Sequence, residues 1–232
     1  MGGRTAELPR TTNASANDPE PSGGIVAAPD DATFEIVFVC TGNRFRSPLA
    51  AAVLEEVVGS LPVRVRSAGT LELGAAPALR AAIKHGERLG LDISSHRSRS
   101  IAGMDLSGAD LVVGFEAAHV GAAVLEGNAL RERAFLLAEL VDLLSSLAPP
   151  PGPSPVQAAR ALLSRANASR HSGATLLASE IPDPLHGSAR LARAVARDVQ
   201  LLSIALARGL FGSDRLTIPP DPRLRRGARW SR

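Results

Sequence analysis

The feature that most constrains the fold is the segment FEIVFV, residues 34–39. It is short, rich in β-branched and aromatic residues and almost wholly apolar, as expected for a central strand covered on both faces. It runs directly into Cys40, the one cysteine among 232 residues, and then into TGNRFR (41–46) and the pair Ser47-Pro48. SPLAAAVLEEVVG (47–59) has the marks of a helix, with Ser47 predicted at the N-cap, Pro48 at the first helical position and Gly59 just past the end. A strand, a tight loop and a helix are therefore expected in immediate succession.

The alternation continues. PVRVRSAG (62–69) is a predicted strand, APALRAAIKHGERLG (76–90) a helix and ADLVVGF (109–115) a second buried strand. EAAHVGAAVLEG (116–127) is a predicted helix, RAFLL (133–137) a short strand and AELVDLLSSL (138–147) a helix. Strands alternating with helices require crossover connections. The expected fold is α/β: a three-layer, doubly wound sheet of about four parallel strands flanked by helices, with a phosphate-binding loop after the first strand. APPPGPSP (148–155) breaks the pattern. The Ala/Arg-rich stretch after it suggests an inserted excursion with room for one short helix, so a Pro-rich insertion is expected at about 148–175. A last helix is predicted from Leu191, Val195, Val199, Leu202 and Leu206, an apolar stripe at helical spacing.

The 45% apolar fraction is ample for one packed domain, assigned to residues 34–212. Residues 1–33 are polar, without apolar periodicity, and are expected to be disordered. Residues 213–232 carry six Arg against two Asp and are expected to form a basic, disordered tail rather than a nucleic-acid surface. No run reaches the roughly 18 apolar residues of a membrane helix, and the N-terminus lacks a signal-peptide apolar core. No membrane span, no nucleic-acid partner and a cytoplasmic location are the resulting expectations. A single cysteine excludes an intramolecular disulfide and a cysteine-rich metal site.

Cys40 admits two readings. It is either a small hydrophobe ending a buried strand or a nucleophile delivered into an anion cradle. The second gains weight from its surroundings. A strand end, a Gly-containing loop and a helix start aim backbone N–H groups and a helix dipole at one small volume suited to a tetrahedral anion. That positive field favours thiolate over thiol. Arg46 can grip two oxygens with its planar fork, and Gly42 and Asn43 suit the left-handed backbone of a tight loop. Arg44 is expected to point to solvent.

Cys40, Arg46 and Ser47 form a Cys-x5-Arg-Ser pattern, followed by SAGT (67–70), SHRSR (95–99) and Asp183-Pro184. In this order they resemble the low-molecular-weight protein tyrosine phosphatases of bacterial type, over roughly residues 34–210. The resemblance implies a cysteine-dependent phosphomonoester hydrolase acting on phosphorylated protein, with no cofactor and no metal. It assigns Cys40 as nucleophile and Arg46, with the loop residues Thr41, Gly42, Asn43, Arg44 and Phe45, as the phosphate holder. Asp183 becomes the general acid and base, and Ser47 the partner of the thiolate. Asn43, Ser67 and His96 become the polar network that holds the loop.

The departures concern selectivity. Relatives specific for phosphotyrosine wall their cleft with aromatic residues where this chain has Leu71 or a neighbour, Leu185 and His186. Phe45 stands where many relatives have a second loop cysteine. Thr41 is shared with relatives that act on phosphoarginine, which keeps that substrate open beside phosphotyrosine. A feebly active phosphate-binding or interaction module is the alternative of another class, and an intact acid at Asp183 argues against it. Oligomeric state is not legible in the sequence.

Overall fold

A computed structural model describes residues 2, 33–148, 150, 154–170 and 180–217. Strand β1 (Phe34–Cys40) leads to α1 (Arg46–Val58), β2 (Val63–Gly69), α2 (Arg80–Leu89), β3 (Leu111–Gly114) and α3 (Ala117–Leu125). Then follow β4 (Ala134–Leu136), α4 (Leu137–Ser145), α5 (Pro155–Ala168) and α6 (Ala189–Phe211). The four strands form one parallel sheet in the order β2-β1-β3-β4. The α/β expectation is met, with β1 in the interior between β2 and β3. The predicted disorder of 1–33, most of the predicted tail and part of the Pro-rich stretch fall outside the described residues.

Period-2 alternation divides β1 between two cores. Phe34, Ile36, Phe38 and Cys40 pack with buried residues of α1, α4, α5 and α6, including Leu49, Leu54, Leu140, Leu162, Val199 and Leu206. Val37 and Val39 face the other layer, with Ile101, Leu106, Val112 and Ala123. Residues 34 and 36–39 have no exposed surface, which explains why this strand lacks polar alternation. Each such Phe, Ile or Val side chain contributes about 1.5–3 kcal/mol on transfer from water. Phe34 also meets Phe211 edge to face at 5.7 Å, tying the last helix to the first strand.

Two expectations are corrected. Helix α1 begins at Arg46, with Phe45 in the cap position and no side-chain cap bond. Ser47 is not the N-cap; its hydroxyl is directed back toward β1 and β2, where it meets other partners. The stretch after the prolines holds the helix allowed for there, but over residues 155–168 it is part of the core and not an excursion from it. It forms a 14-residue helix, capped by Ser154 accepting from Val156 N and started by Pro155. Val156, Ala159, Leu162, Leu163 and Ala166 enter the main core. Its Arg and Ala masked this stripe: Arg165 is exposed, Arg160 is half-buried and paired with Asp110 at 2.7 Å, and small alanines allow close packing.

Candidate active site

The sheet order reverses at β1, so the crevice between the carboxyl ends of β1 and β3 is the topological switch point where open α/β sheets accept ligands. Cys40 ends β1 opposite Gly69 of β2. The loop from Thr41 to Phe45 is held against β2's end, with Thr70 N donating to Cys40 O at 3.0 Å and Leu71 N to Thr41 O at 2.9 Å. A Cβ on Gly69 would lie 2.9 Å from both Asn43 N and Thr41 O, so the glycine of SAGT permits the loop's close approach.

Asn43 takes the left-handed conformation, at φ 50°, and is fully buried. Gly42 does not need it; a Cβ there would meet only side chains, Leu73 first at 3.3 Å. The cost of the strained Asn43 backbone is offset by four hydrogen bonds. Its Nδ2 donates to Ser47 Oγ and Ser67 Oγ, each at 2.9 Å. Its Oδ1 accepts from Arg99 N at 2.9 Å, and its carbonyl accepts from His96 Nε2 at 2.7 Å. That last bond puts the proton on Nε2, and burial lowers His96 below the ordinary histidine range. The structure thus brings Asn43, Ser67 and His96 together. Arg44 differs: its Nε donates to Pro77 O at 2.7 Å while Leu79 N donates to its carbonyl at 2.8 Å, so it ties the loop to the start of α2.

Cys40 is 2% exposed, and its Sγ lies 3.0 Å from Ser47 Oγ. Ser47 has one proton and two acceptors in reach, the Ala68 carbonyl at 3.2 Å and the sulfur. Either atom of the Cys40–Ser47 pair can donate, so the hydroxyl is placed to donate to the sulfur when that sulfur carries charge. Phe45 is 4% exposed and belongs to the main core, so its ring fills space.

Arg46 is 1% exposed and joins every side of the crevice. Its Nη1 donates to Glu116 Oε1 at 2.7 Å and to Ile181 O at 2.8 Å. Its Nη2 donates to Asp183 Oδ2 at 2.7 Å and to Thr41 Oγ1 at 3.1 Å. A buried guanidinium is tolerated because it is paired and hydrogen-bonded on both nitrogens. Phe115 lies under it, 5.9 Å from ring centre to guanidinium carbon. Asp183 is carried on a loop docked just past the end of β3 by Ile181 N donating to Phe115 O at 2.8 Å, and its Oδ1 caps the turn by accepting from Leu185 N at 3.0 Å.

Leu71, Leu73 and Leu185 are exposed at 49%, 39% and 52%, and His186 is exposed too. Leu73, over Gly42, is the neighbour of Leu71 nearest the loop. Two polar residues escape the sequence reading, the half-buried Glu116 at the start of α3 and the buried His119 one turn on. The available signal is positional: both follow β3, whose carboxyl end borders the switch point. Among the described residues no cluster of His, Cys, Asp and Glu could hold a metal ion.

Fold and site together define a doubly wound α/β domain with a cysteine-to-arginine loop at the switch point of its sheet. Residues 35–146 match the family model "Low molecular weight phosphotyrosine protein phosphatase". Asp183 lies beyond the matched segment and joins the site through Arg46. A curated relative in Ralstonia nicotianae, described as "Probable low molecular weight protein-tyrosine-phosphatase EpsP", is 43% identical over 79 residues, 34% of this chain and 52% of the relative. The chain therefore spans about half the length of the curated relatives it matches. The YwlE arginine phosphatase from Geobacillus stearothermophilus is 25% identical, with 76% of this chain and 92% of that chain covered at a TM-score of 0.55. A Bacillus subtilis YwlE mutant, 24% identical with 77% and 99% covered at a TM-score of 0.55, shares the fold.

Proposed function

We propose that the protein is a cysteine-dependent phosphomonoester hydrolase of protein-tyrosine-phosphatase type. The observation that carries this reading is the reach of Arg46, whose Nη2 touches both Thr41, the residue after the cysteine, and Asp183, 137 positions later. Nucleophile, anion holder and a carboxylate thus border one crevice, which a purely binding module has no need of.

In the proposed reaction Cys40 Sγ attacks phosphorus in line with the leaving oxygen. The S–P bond forms as the P–O bond breaks, giving a phosphocysteine. Arg46 and the first-turn amides of α1 hold charge on the three equatorial oxygens. The dianion takes over at Nη2 as counter-charge to the guanidinium. The Asp183 carboxyl then hydrogen-bonds the leaving oxygen, gives it a proton, and receives one from the water that attacks phosphorus next. Ser47 stabilises the departing thiolate. Asn43, Ser67 and His96 keep the loop's shape. The substrate is a phosphorylated protein side chain, and a reducing compartment such as the cytoplasm suits a mechanism that needs a free thiol.

A second reading, phosphoarginine, is favoured by Thr41, whose hydroxyl is held by two donors, and by leucines rather than rings at the mouth. Ring stacking on phosphotyrosine is worth about 0.5–1.5 kcal/mol, so its absence from this wall weakens discrimination. The test is p-nitrophenyl phosphate hydrolysis by the wild type and by Cys40→Ser. Turnover at least about a thousandfold above the variant is expected; equal rates would refute the assignment. On matched peptides, a kcat/KM ratio between phosphotyrosine and phosphoarginine greater than about tenfold identifies the preferred class.

A further inference from the structure

The imidazole of His119 is 2% exposed and has a defined tautomer. Its Nδ1 accepts from two backbone amides, Glu116 N at 3.1 Å and Phe115 N at 3.3 Å. A nitrogen accepting two N–H bonds carries no proton, so the proton is on Nε2. Nε2 faces Thr41 Oγ1 at 3.0 Å and Glu116 Oε2 at the longer 3.5 Å. Donation therefore runs from His119 to the threonine hydroxyl.

Thr41 Oγ1 receives a second donor, Arg46 Nη2 at 3.1 Å. A hydroxyl has two lone pairs and one proton. With both lone pairs engaged, the proton is its remaining hydrogen-bonding capacity. The hydroxyl is thereby turned from an ambivalent group into a donor, next to the cysteine and one guanidinium nitrogen from Asp183. The base of this relay is rigid. A Cβ on Gly114 would lie 2.8 Å from Val120 Cγ2 and 3.1 Å from His119 Cβ, so α3 packs directly on the backbone of β3 and fixes the root of the ring.

We propose that His119 is a positioning residue that makes the Thr41 hydroxyl a dedicated donor to an oxygen of the transferring phosphoryl group. The proposal rests on the phosphatase reading above. Thr41 alone, free of His119, could rotate to accept as readily as donate. The two residues form one selectivity unit at the pocket floor, and an acceptor-rich phosphoryl group is the chemistry they recognise.

The informative variant is His119→Asn. Its amide oxygen can still accept from Phe115 N and Glu116 N, but the side chain is too short to reach Thr41. His119→Gln restores the reach. Kinetics on p-nitrophenyl phosphate are measured for the wild type, His119→Asn, Thr41→Val, the double variant and His119→Gln. His119→Asn is expected to lower kcat/KM about tenfold, the loss of one hydrogen bond to a charged group. Thr41→Val should do the same, and the double variant should be no worse than Thr41→Val within about twofold. His119→Gln should recover most of the loss. An unaltered kcat/KM in His119→Asn, or an equal further loss in the Thr41→Val background, overturns the proposal. If the wild type matches Cys40→Ser, the phosphatase reading fails instead. The same five proteins are then titrated with inorganic phosphate, where coupled losses support the pair and independent losses overturn it.

Discussion

At the scale of single residues, the same burial that orders His119 makes it a source of acid sensitivity. Burial, then the neighbouring Arg46 charge, lower it from 6.5 to about 4, against an opposing pull from Asp183. Between these values the unfolded chain binds a proton that the folded chain refuses. The associated stability is complete above about pH 6.5 and falls as pH drops toward about 4, by roughly 1.4 kcal/mol per unit at the steepest. His96 and His85 are lowered too, with burial the main cause, and add to the trend. Urea unfolding at about pH 7 and about pH 4.5 isolates the His119 part, and across this interval His119→Gln should lose roughly 2 kcal/mol less than the wild type. An identical loss in both proteins would mean that His119 titrates normally in the folded chain. The visible half of the site, Cys40 with Arg46, is local in sequence and therefore legible there. Glu116 and His119 are not, because their partners Arg46 and Thr41 lie 70 and 78 positions away and only the parallel pairing of β1 with β3 brings them together.

At the scale of elements, the strands are legible because burial on both faces leaves an uninterrupted apolar run, as in β1. Helix boundaries are less so. The Ser-Pro pair resembles a helix start, yet α1 begins at Arg46, since Ser47 Oγ is committed to Cys40, Asn43 and Ala68 instead of a cap. Helix α5 is hidden behind its arginines, and its contribution is measurable. Leu162 is fully buried in the main core. Leu162→Ala should cost about 2–5 kcal/mol through lost transfer energy and the cavity left behind. The outward control on the same helix is Gln157, which is exposed and whose replacement by Ala should change stability by less than about 0.5 kcal/mol. Chemical denaturation of the two variants beside the wild type makes the comparison. A Leu162→Ala cost as small as the control's would show α5 to be an appendage and not part of the core.

At the scale of the whole molecule, one thiol in 232 residues sets how the proposed activity would fail. A thiolate oxidises first to a sulfenic acid, which a second cysteine can trap reversibly as a disulfide. In this chain the loop position that could shelter it is Phe45, buried in the core, and Cys40 is the only thiol. Oxidation is therefore expected to continue to the sulfinic and sulfonic acids, which thiols do not reduce. On the proposed function an oxyanion held by Arg46 and the loop would oppose this, by covering the sulfur and adding a negative charge facing the oxidant. Hydrogen peroxide is thus expected to inactivate the protein with a gain of two or three oxygens on Cys40 by mass spectrometry. Dithiothreitol added afterwards should restore only a small part of the activity. Saturating phosphate present during exposure should slow inactivation about tenfold, a factor corresponding to about 90% occupancy of the site. Full recovery with dithiothreitol would show that the sulfenic acid is sheltered in some other way, and a phosphate-independent rate would show that the oxyanion does not sit over Cys40.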